Sequence, residues 1–288
     1  MIRTAVLLTV FNRKEVTLKG LYSLKQAMAT LGKAHLFDIY MVDDGCTDGT
    51  GDAVAEAFPE VRIIEGNGKL FWGGGMRKAW QAAEDSGVRY DFFLWFNDDV
   101  DLFGDALESL FDAYGKYGPD CLISGAFQAH DGTPSYGGRL ADGRLAAPDG
   151  SCRELVLMNG NLVLIPYAAY SVLGMIDKSF RHGLGDQDYG LRARNNHFKV
   201  CLTEKYVGIC DRHDEKDRRY FSPELNLKSR LKLCYNTQNS PRDFFIYMNR
   251  HYGLIEAIVF FLWRNFYTFF PRLYVKKRKR SANYENSN

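Results

Sequence analysis

Apolar runs and amphipathic stretches alternate in a regular order along the first hundred residues. Ala5-Val6-Leu7-Leu8-Thr9-Val10 is an unbroken apolar run, the pattern of a strand covered on both faces. Asn12 is then placed to cap a helix, with Glu15 three residues on and Leu18, Leu21, Tyr22 and Leu24 at helical spacing. Phe37–Val42 reads as a second strand ending in Asp43-Asp44-Gly45, and Thr47-Asp48-Gly49-Thr50 as a turn into a helix around Ala53–Phe58. Val61–Ile64 is a third strand, followed by a glycine-rich loop (Gly66, Gly68, Gly73, Gly74, Gly75) and a helix through Ala79, Ala82 and Ala83. Asp91–Phe96 is a fourth strand and stops at Asn97-Asp98-Asp99. This rhythm predicts an α/β fold with a mostly parallel central sheet flanked by helices. Ligands in such sheets sit beyond the carboxyl ends of the strands, and the polar residues gather there.

The pattern loosens after the fourth strand. Residues 128–152 are rich in Gly, Asp, Pro and Ala, which predicts a hairpin or mobile loop over the site. Leu162–Ile165 resumes apolar structure, and Asp186–Asn196 fits a helix with an acidic first turn. From Phe244 to Tyr274, 12 of 31 residues are Phe, Tyr or Trp, against 14% for the whole chain. Lys276-Lys277-Arg278-Lys279-Arg280 follows at once. Such a tail suits an apolar helix packed on the core, a dimer contact, or an interfacial anchor on an anionic membrane surface. Its longest uncharged apolar stretch, Ala257–Trp263, falls far short of the ~20 residues that span a bilayer, and Glu256 and Arg264 break the pattern further.

Composition narrows the classes. The 288 residues carry 37 Lys+Arg against 35 Asp+Glu, a formal charge of +2, which gives no global reason to bind nucleic acid. With 46% hydrophobic residues the chain is an ordinary globular one, large enough for a core domain plus an appendage. The six cysteines form no CxxC pair and read as reduced thiols of a cytosolic protein. The N-terminal segment reads as a first strand rather than a cleavable signal.

Three constellations carry candidate chemistry. Carboxylates at a buried strand end, as in Asn97-Asp98-Asp99, need a cationic partner, and hard oxygen donors suit Mg2+ or Mn2+, with a diphosphate completing the shell. Asp43 and Asp44 could accept hydrogen bonds from a base or a ribose, or simply build a turn. Gly73–Gly75 with Arg77 and Lys78 at a helix start could turn backbone N–H groups and positive charge toward phosphate, or form a tight turn. That run is neither a P-loop nor a dinucleotide fingerprint, because Lys78 stands where the last glycine would fall.

Taken together, Thr9-Val10-Phe11-Asn12-Arg13, Val42 to Thr50, Gly73-Gly74-Gly75 and Asn97-Asp98-Asp99-Val100-Asp101 resemble the family 2 inverting glycosyltransferases of the GT-A fold. The Leu70–Arg77 stretch is most similar to the bacterial rhamnosyltransferase-like branch. The resemblance covers about residues 3 to 215, and implies a domain 1–215 with a nucleotide-sugar half (1–101) and an acceptor half (102–215). A helical extension occupies 216–288. It also implies donor contacts from Thr9, Phe11, Asn12, Arg13, Asp43, Asp44, Gly74, Gly75, Arg77, Asn97 and Asp98, with Phe11 near the base. The family's Asp-x-Asp signature falls on Asn97-x-Asp99, leaving Asp99 as the expected metal ligand, joined by His213. The segment Phe180–Arg192 resembles the acceptor side, with Asp186 as catalytic aspartate and Trp72, Asp188 and Arg192 around the acceptor.

The resemblance therefore implies metal-assisted (Mn2+ or Mg2+) transfer with inversion, from a dTDP- or UDP-sugar to a carbohydrate or lipid-linked glycan. Asp186 would act as general base. The implied setting is cell-surface polysaccharide or lipopolysaccharide synthesis in the cytoplasm, at the cytoplasmic face of the inner membrane. A homodimer is compatible with the tail. Two rivals stand beside it: a non-catalytic carbohydrate- or partner-binding protein on the same fold, and a sugar-nucleotide pyrophosphorylase, whose phosphate loop Thr9–Arg13 does not resemble.

Overall fold

The computed structural model describes residues 1–212, 219–237 and 240–277. They fall into two compact units, the first Met1–Arg212 and the second beyond it. In the first unit the chain runs β1 (Ile2–Val10), α1 (Lys14–Thr30), β2 (His35–Asp43), α2 (Thr50–Ala57), β3 (Val61–Glu65), α3 (Phe71–Asp85) and β4 (Phe92–Phe96). It continues through β5 (Asp101–Leu102), α4 (Ala106–Tyr117), β6 (Cys121–Gln128), β7 (Pro134–Tyr136), β8 (Gly138–Arg139), β9 (Arg153–Glu154) and β10 (Leu157–Met158). The unit closes with β11 (Leu162–Pro166), α5 (Tyr167–Leu173), α6 (Gly185–Asn195) and β12 (Lys199–Ile209).

The main sheet has the order β3-β2-β1-β4-β11-β6-β12-β5. Strands β3, β2, β1 and β4 are mutually parallel, whereas β11 runs antiparallel to both β4 and β6. Alternate side chains of β1 face opposite ways, as the strand period requires. Val6, Leu8 and Val10 pack with Leu21 and Leu24 of α1, Val54 of α2 and Leu107 of α4. Ala5 and Leu7 pack with Met76, Ala79 and Trp80 of α3 and Tyr189 of α6. Helices thus cover both faces, which is why β4 is apolar along its whole length and β1 from Ala5 to Leu8.

The reversed direction of β11 sets the site. Leu162 pairs with Phe96, so the residues that enter β11 lie at the carboxyl end of β4. Asn97 N donates to the carbonyl of Asn161 at 2.8 Å across that junction. The region expected as a hairpin or mobile loop does begin as a hairpin, β7 pairing antiparallel with β6, and β8 then pairs with β10 before the chain continues through turns.

Two local expectations are corrected. The glycine run is not a loop, because α3 starts at Phe71 and takes Gly73–Gly75 into its first turns. Asn12 does not cap α1; at φ +50° its side chain turns to accept from Thr47 N at 2.7 Å. Asp48 from the following loop supplies that cap, its Oδ2 accepting from Lys14 N at 3.0 Å.

The second unit holds α7 (Leu227–Cys234), α8 (Pro241–Tyr252) and α9 (Leu254–Phe269), with a further helical stretch at 271–277. Asn226 caps α7, and Ser240 with Pro241 in the first turn starts α8. Gly253, at φ +100°, breaks the chain between α8 and α9. Phe221, Trp263 and Tyr274 meet in its small aromatic core.

Candidate functional site

A cavity of about 480 Å³ opens where the carboxyl ends of β1 and β4 meet the residues entering β11 and α6. Thr9, Phe11 and Arg13 contribute from β1 and its loop, and Asn97 and Asp99 from the end of β4. Phe71 and Trp72 come from the start of α3, and Asp186 from the first turn of α6. Three bulky or polar residues with left-handed backbone flank it: Asn12 (φ +50°), Phe71 (φ +58°) and Leu184 (φ +68°). Such conformations are uncommon outside glycine and concentrate where a site imposes them.

Asp186 is held by two backbone amides, Gly160 N to Oδ2 at 3.0 Å and Gln187 N to Oδ1 at 2.8 Å. Loss of solvation raises its pKa above the ordinary aspartate value of 3.8, outweighing those hydrogen bonds. Each oxygen keeps a lone pair for a further partner. Gly160 is required at its place: a Cβ there would lie 2.6 Å from the Trp72 ring and 3.2 Å from Asp186 Cβ. Trp72 in turn donates from Nε1 to Asn97 Oδ1 at 2.8 Å and stands edge-on to Trp95. Trp72 therefore ties the end of β4 to the wall beside Asp186.

The acidic triplet divides its work. Asp98 is 1% exposed and binds Arg13 Nη2 and Thr17 Oγ1, which rivets the strand end to α1. Burial pushes its pKa up to about 6, against the pull of the Arg13 charge. Gly20 lets α1 come this close, since a Cβ there would fall 2.3 Å from the Asp98 carbonyl oxygen. Asp98 is thus a structural anchor, not the donor contact expected of it. Asp99 takes one hydrogen bond on Oδ2, from Arg13 Nη1 at 3.1 Å, while its Oδ1 is buried with no hydrogen-bond partner.

That orphaned oxygen tests whether the residues suit a metal. A buried anionic oxygen with no donor is unfavourable, and a hard divalent cation satisfies it. Among the described residues no cluster of three or more His, Cys, Asp or Glu side chains could enclose an ion. One carboxylate oxygen suits a cation whose other ligands come from a diphosphate and water. His213, the other expected ligand, lies outside the described residues.

Several expected donor contacts are placed otherwise. Asp44 touches the cavity, but its carboxylate accepts backbone N–H bonds from Asn67, Gly68, Leu70 and Phe71 at 2.9–3.3 Å. It shapes the loop before α3 and has no capacity left for a base or ribose. Asp43 lies outside the cavity lining and accepts from Cys46 N at 2.7 Å, building the turn after β2. The amides of Gly73 and Gly74 donate to the Arg181 carbonyl at 2.9 and 3.3 Å, so they form no phosphate cradle. Gly75 is there for close packing, because a Cβ would lie 2.1 Å from Thr9 Oγ1. Gly74 and Arg77 line a separate surface pocket with Lys78, Lys178 and Arg181. Asn12 braces Thr47, one step outside the lining. Asp188 and Arg192 are also outside it: their ion pair, Nε to Oδ2 at 2.9 Å, lets Arg192 bind the Leu173 and Met175 carbonyls and pin α6 to the end of α5.

The cavity also uses residues that sequence reasoning did not single out: Tyr136, Asn159, Gly160 and Asn161, with His182 and Gly183 from the segment read as the acceptor side. A signal existed for three of them. Asn159-Gly160-Asn161 is a polar, turn-forming triplet directly before the apolar run of β11. Attention to carboxyl ends of parallel strands misses it, because β11 enters the site by its amino end.

The model of the family described as Glycosyl transferase family 2 matches residues 5–168, more than half of the chain, from within β1 through β11. The chain belongs to glycosyltransferase family 2. No curated protein matches it significantly. Among solved structures, this glycosyltransferase is similar to the mannosyltransferase PcManGT from Pyrobaculum calidifontis, which is in complex with GDP-Man and Mn2+. The identity is 13% and the TM-score 0.56, over 89% of this chain and 73% of that one. It is also similar to S. aureus TarS, at 14% identity and TM-score 0.53, where it covers 85% of its own length but only 44% of TarS. The 1–349 fragment of TarS, in complex with UDP, aligns at 13% identity and TM-score 0.52 over 87% of this chain and 72% of the fragment. At such identities the likeness is one of fold, and it places the sheet of this glycosyltransferase among GT-A structures.

Proposed function

We propose that this family 2 glycosyltransferase moves a sugar, with inversion, from a nucleoside-diphosphate sugar to a hydroxyl of a carbohydrate or lipid-linked glycan. The donor is a dTDP- or UDP-sugar, and the setting is cell-surface polysaccharide or lipopolysaccharide synthesis in the cytoplasm or at the cytoplasmic face of a membrane. One observation carries this reading: Asp99 and Asp186, 87 positions apart in sequence, line the same cavity. Its volume of about 480 Å³ is within the range of small-molecule sites.

In this reading Asp186 is the general base. Its two backbone hydrogen bonds fix the carboxylate before the acceptor arrives, so little ordering remains for the reaction step. It accepts the hydroxyl proton as the acceptor oxygen attacks the anomeric carbon from the face opposite the diphosphate, a contribution of about 10²–10⁴-fold. Asp99 Oδ1 would hold Mn2+ or Mg2+, with the diphosphate supplying further oxygens, and the ion when bound would supply positive charge to the leaving group. Phe11, half exposed at the cavity mouth, offers its ring to the base, and Thr9 and Asn97 offer polar groups beside it. Arg13 sets the charge of the site by pairing with Asp98 and Asp99. Trp72 forms the wall on the acceptor side.

Product stereochemistry tests the proposal. With dTDP- and UDP-sugars screened by thermal shift in Mn2+, a selective donor should raise the melting temperature. NMR of the product formed from that donor should then show an inverted anomeric centre. A retained configuration contradicts the single displacement.

A further inference from the structure

Half of the large apolar side chains exposed among the described residues fall between Tyr252 and Leu273. They are not scattered. Ile255, Val259, Leu262, Phe266, Phe269 and Leu273 follow one another at alternating steps of four and three, with Ile258 beside them. That spacing lays Ile255 to Phe269 along one face of α9, and Leu273 stands exposed in the stretch at 271–277, beyond the break at Phe270. Ile255 is 77% exposed and Leu262 60%. An exposed apolar stripe of this length marks an interaction surface on a soluble-sized unit.

The other face of α9 is satisfied within its own unit. Ala257, Arg264 and Thr268 are buried there. The Arg264 guanidinium lies against the rings of Tyr220 and Phe244, 4.7 and 4.5 Å from their centroids. Its Nη2 donates to the Cys234 carbonyl at 3.3 Å. The charge that interrupts the apolar pattern in the sequence is therefore turned inward, and the outward stripe is uninterrupted. The exposed acid on α9 is Glu256, in its first turn. Beyond the other end stand exposed Arg272, Lys276 and Lys277, and the sequence continues Arg278-Lys279-Arg280 outside the described residues.

We infer that α9 docks on an anionic lipid surface, lying in the plane of the membrane with this stripe among the acyl chains and the basic cluster among the headgroups. Charge selects this occupant over a second copy of the chain. Among the described residues of α9 the one acid, Glu256, stands at the end opposite this cluster of cations, whereas anionic headgroups match the cluster. Geometry selects the orientation: 16 residues extend about 24 Å, and no helix of the described residues is long and apolar enough to cross a membrane. The inference rests on α9 and the cations that follow it, and stands apart from the glycosyl-transfer reading.

Flotation of the full chain with vesicles tests it. The wild type should float with phosphatidylcholine vesicles holding about one-third phosphatidylglycerol, and about tenfold less with phosphatidylcholine alone. Leu262→Glu with Phe266→Glu should abolish flotation while the melting temperature stays unchanged, because both side chains are exposed. Lys276→Glu with Lys277→Glu should reduce the preference for anionic vesicles. Independently of those variants, Phe266→Trp should be quenched by lipids brominated on the acyl chains. Failure of the wild type to float overturns the inference, as does absence of quenching. A solution dimer that Leu262→Glu dissociates, with no vesicle binding by the wild type, assigns the stripe to a second copy instead.

Discussion

Asp44 and Asp99 both stand at strand ends in acidic pairs, yet their surroundings treat them oppositely. Four backbone amides donate to the Asp44 side chain, and those hydrogen bonds hold residues 67–71 in place. Replacing it by Asn removes an acceptor oxygen and sets an N–H against those donors. Asp44→Asn should lower stability by about 2–3 kcal/mol in chemical denaturation. Asp99 has one bare oxygen instead. Asp99→Ala should abolish the Mn2+-dependent part of donor affinity in calorimetry while leaving the fold intact; equal affinity with and without the ion would remove its ligand role. For Asp186 the sign follows from desolvation. Its pKa is raised above 3.8, and a base must be ionised to act, so activity is lost as pH falls. The acid limb of kcat/KM should therefore lie above the ordinary aspartate range, and a limb at or below it would contradict the assignment.

At the scale of elements, the packing of α3 decides the shape of the cavity. A Cβ on Gly73 would lie 2.2 Å from the Phe180 carbonyl oxygen, a backbone atom that cannot swing aside. Gly73→Ala should cost about 1–3 kcal/mol. It should also depress activity, because Phe180 leads directly into the lining residues His182 and Gly183. A melt and a turnover rate equal to wild type would show that the segment yields freely. The same element shows where sequence reading stopped. The order of β1–β4 and their helices was legible because unbroken apolar runs and amphipathic stretches have different periods. Glycine patterns are ambiguous, since a loop that cradles phosphate and a helix pressed against a neighbour need the same missing side chain. The direction of β11 was not legible, because a short apolar run carries no mark of parallel or antiparallel pairing. With it went Asn159, Gly160 and Asn161.

For the whole molecule, the family 2 frame was legible from four short motifs in order, although individual residues within them had other tasks. Asp98, Asp188 and Arg192 are polar residues that hold the fold, and composition cannot tell such a residue from one that meets a ligand. Burial can: Asp98 and Asp188 are sealed from solvent, whereas Asp99 and Asp186 line the cavity. The tail divided in the same way, with Arg264 inward and the apolar stripe outward. The central claim is that Asp186 takes the acceptor proton in the cavity it shares with Asp99. Asp186→Asn keeps the size of the side chain and removes its basicity, so donor binding by calorimetry should stay within about threefold of wild type while transfer falls by about 10²–10⁴-fold. Transfer at the wild-type rate in that variant would contradict the account.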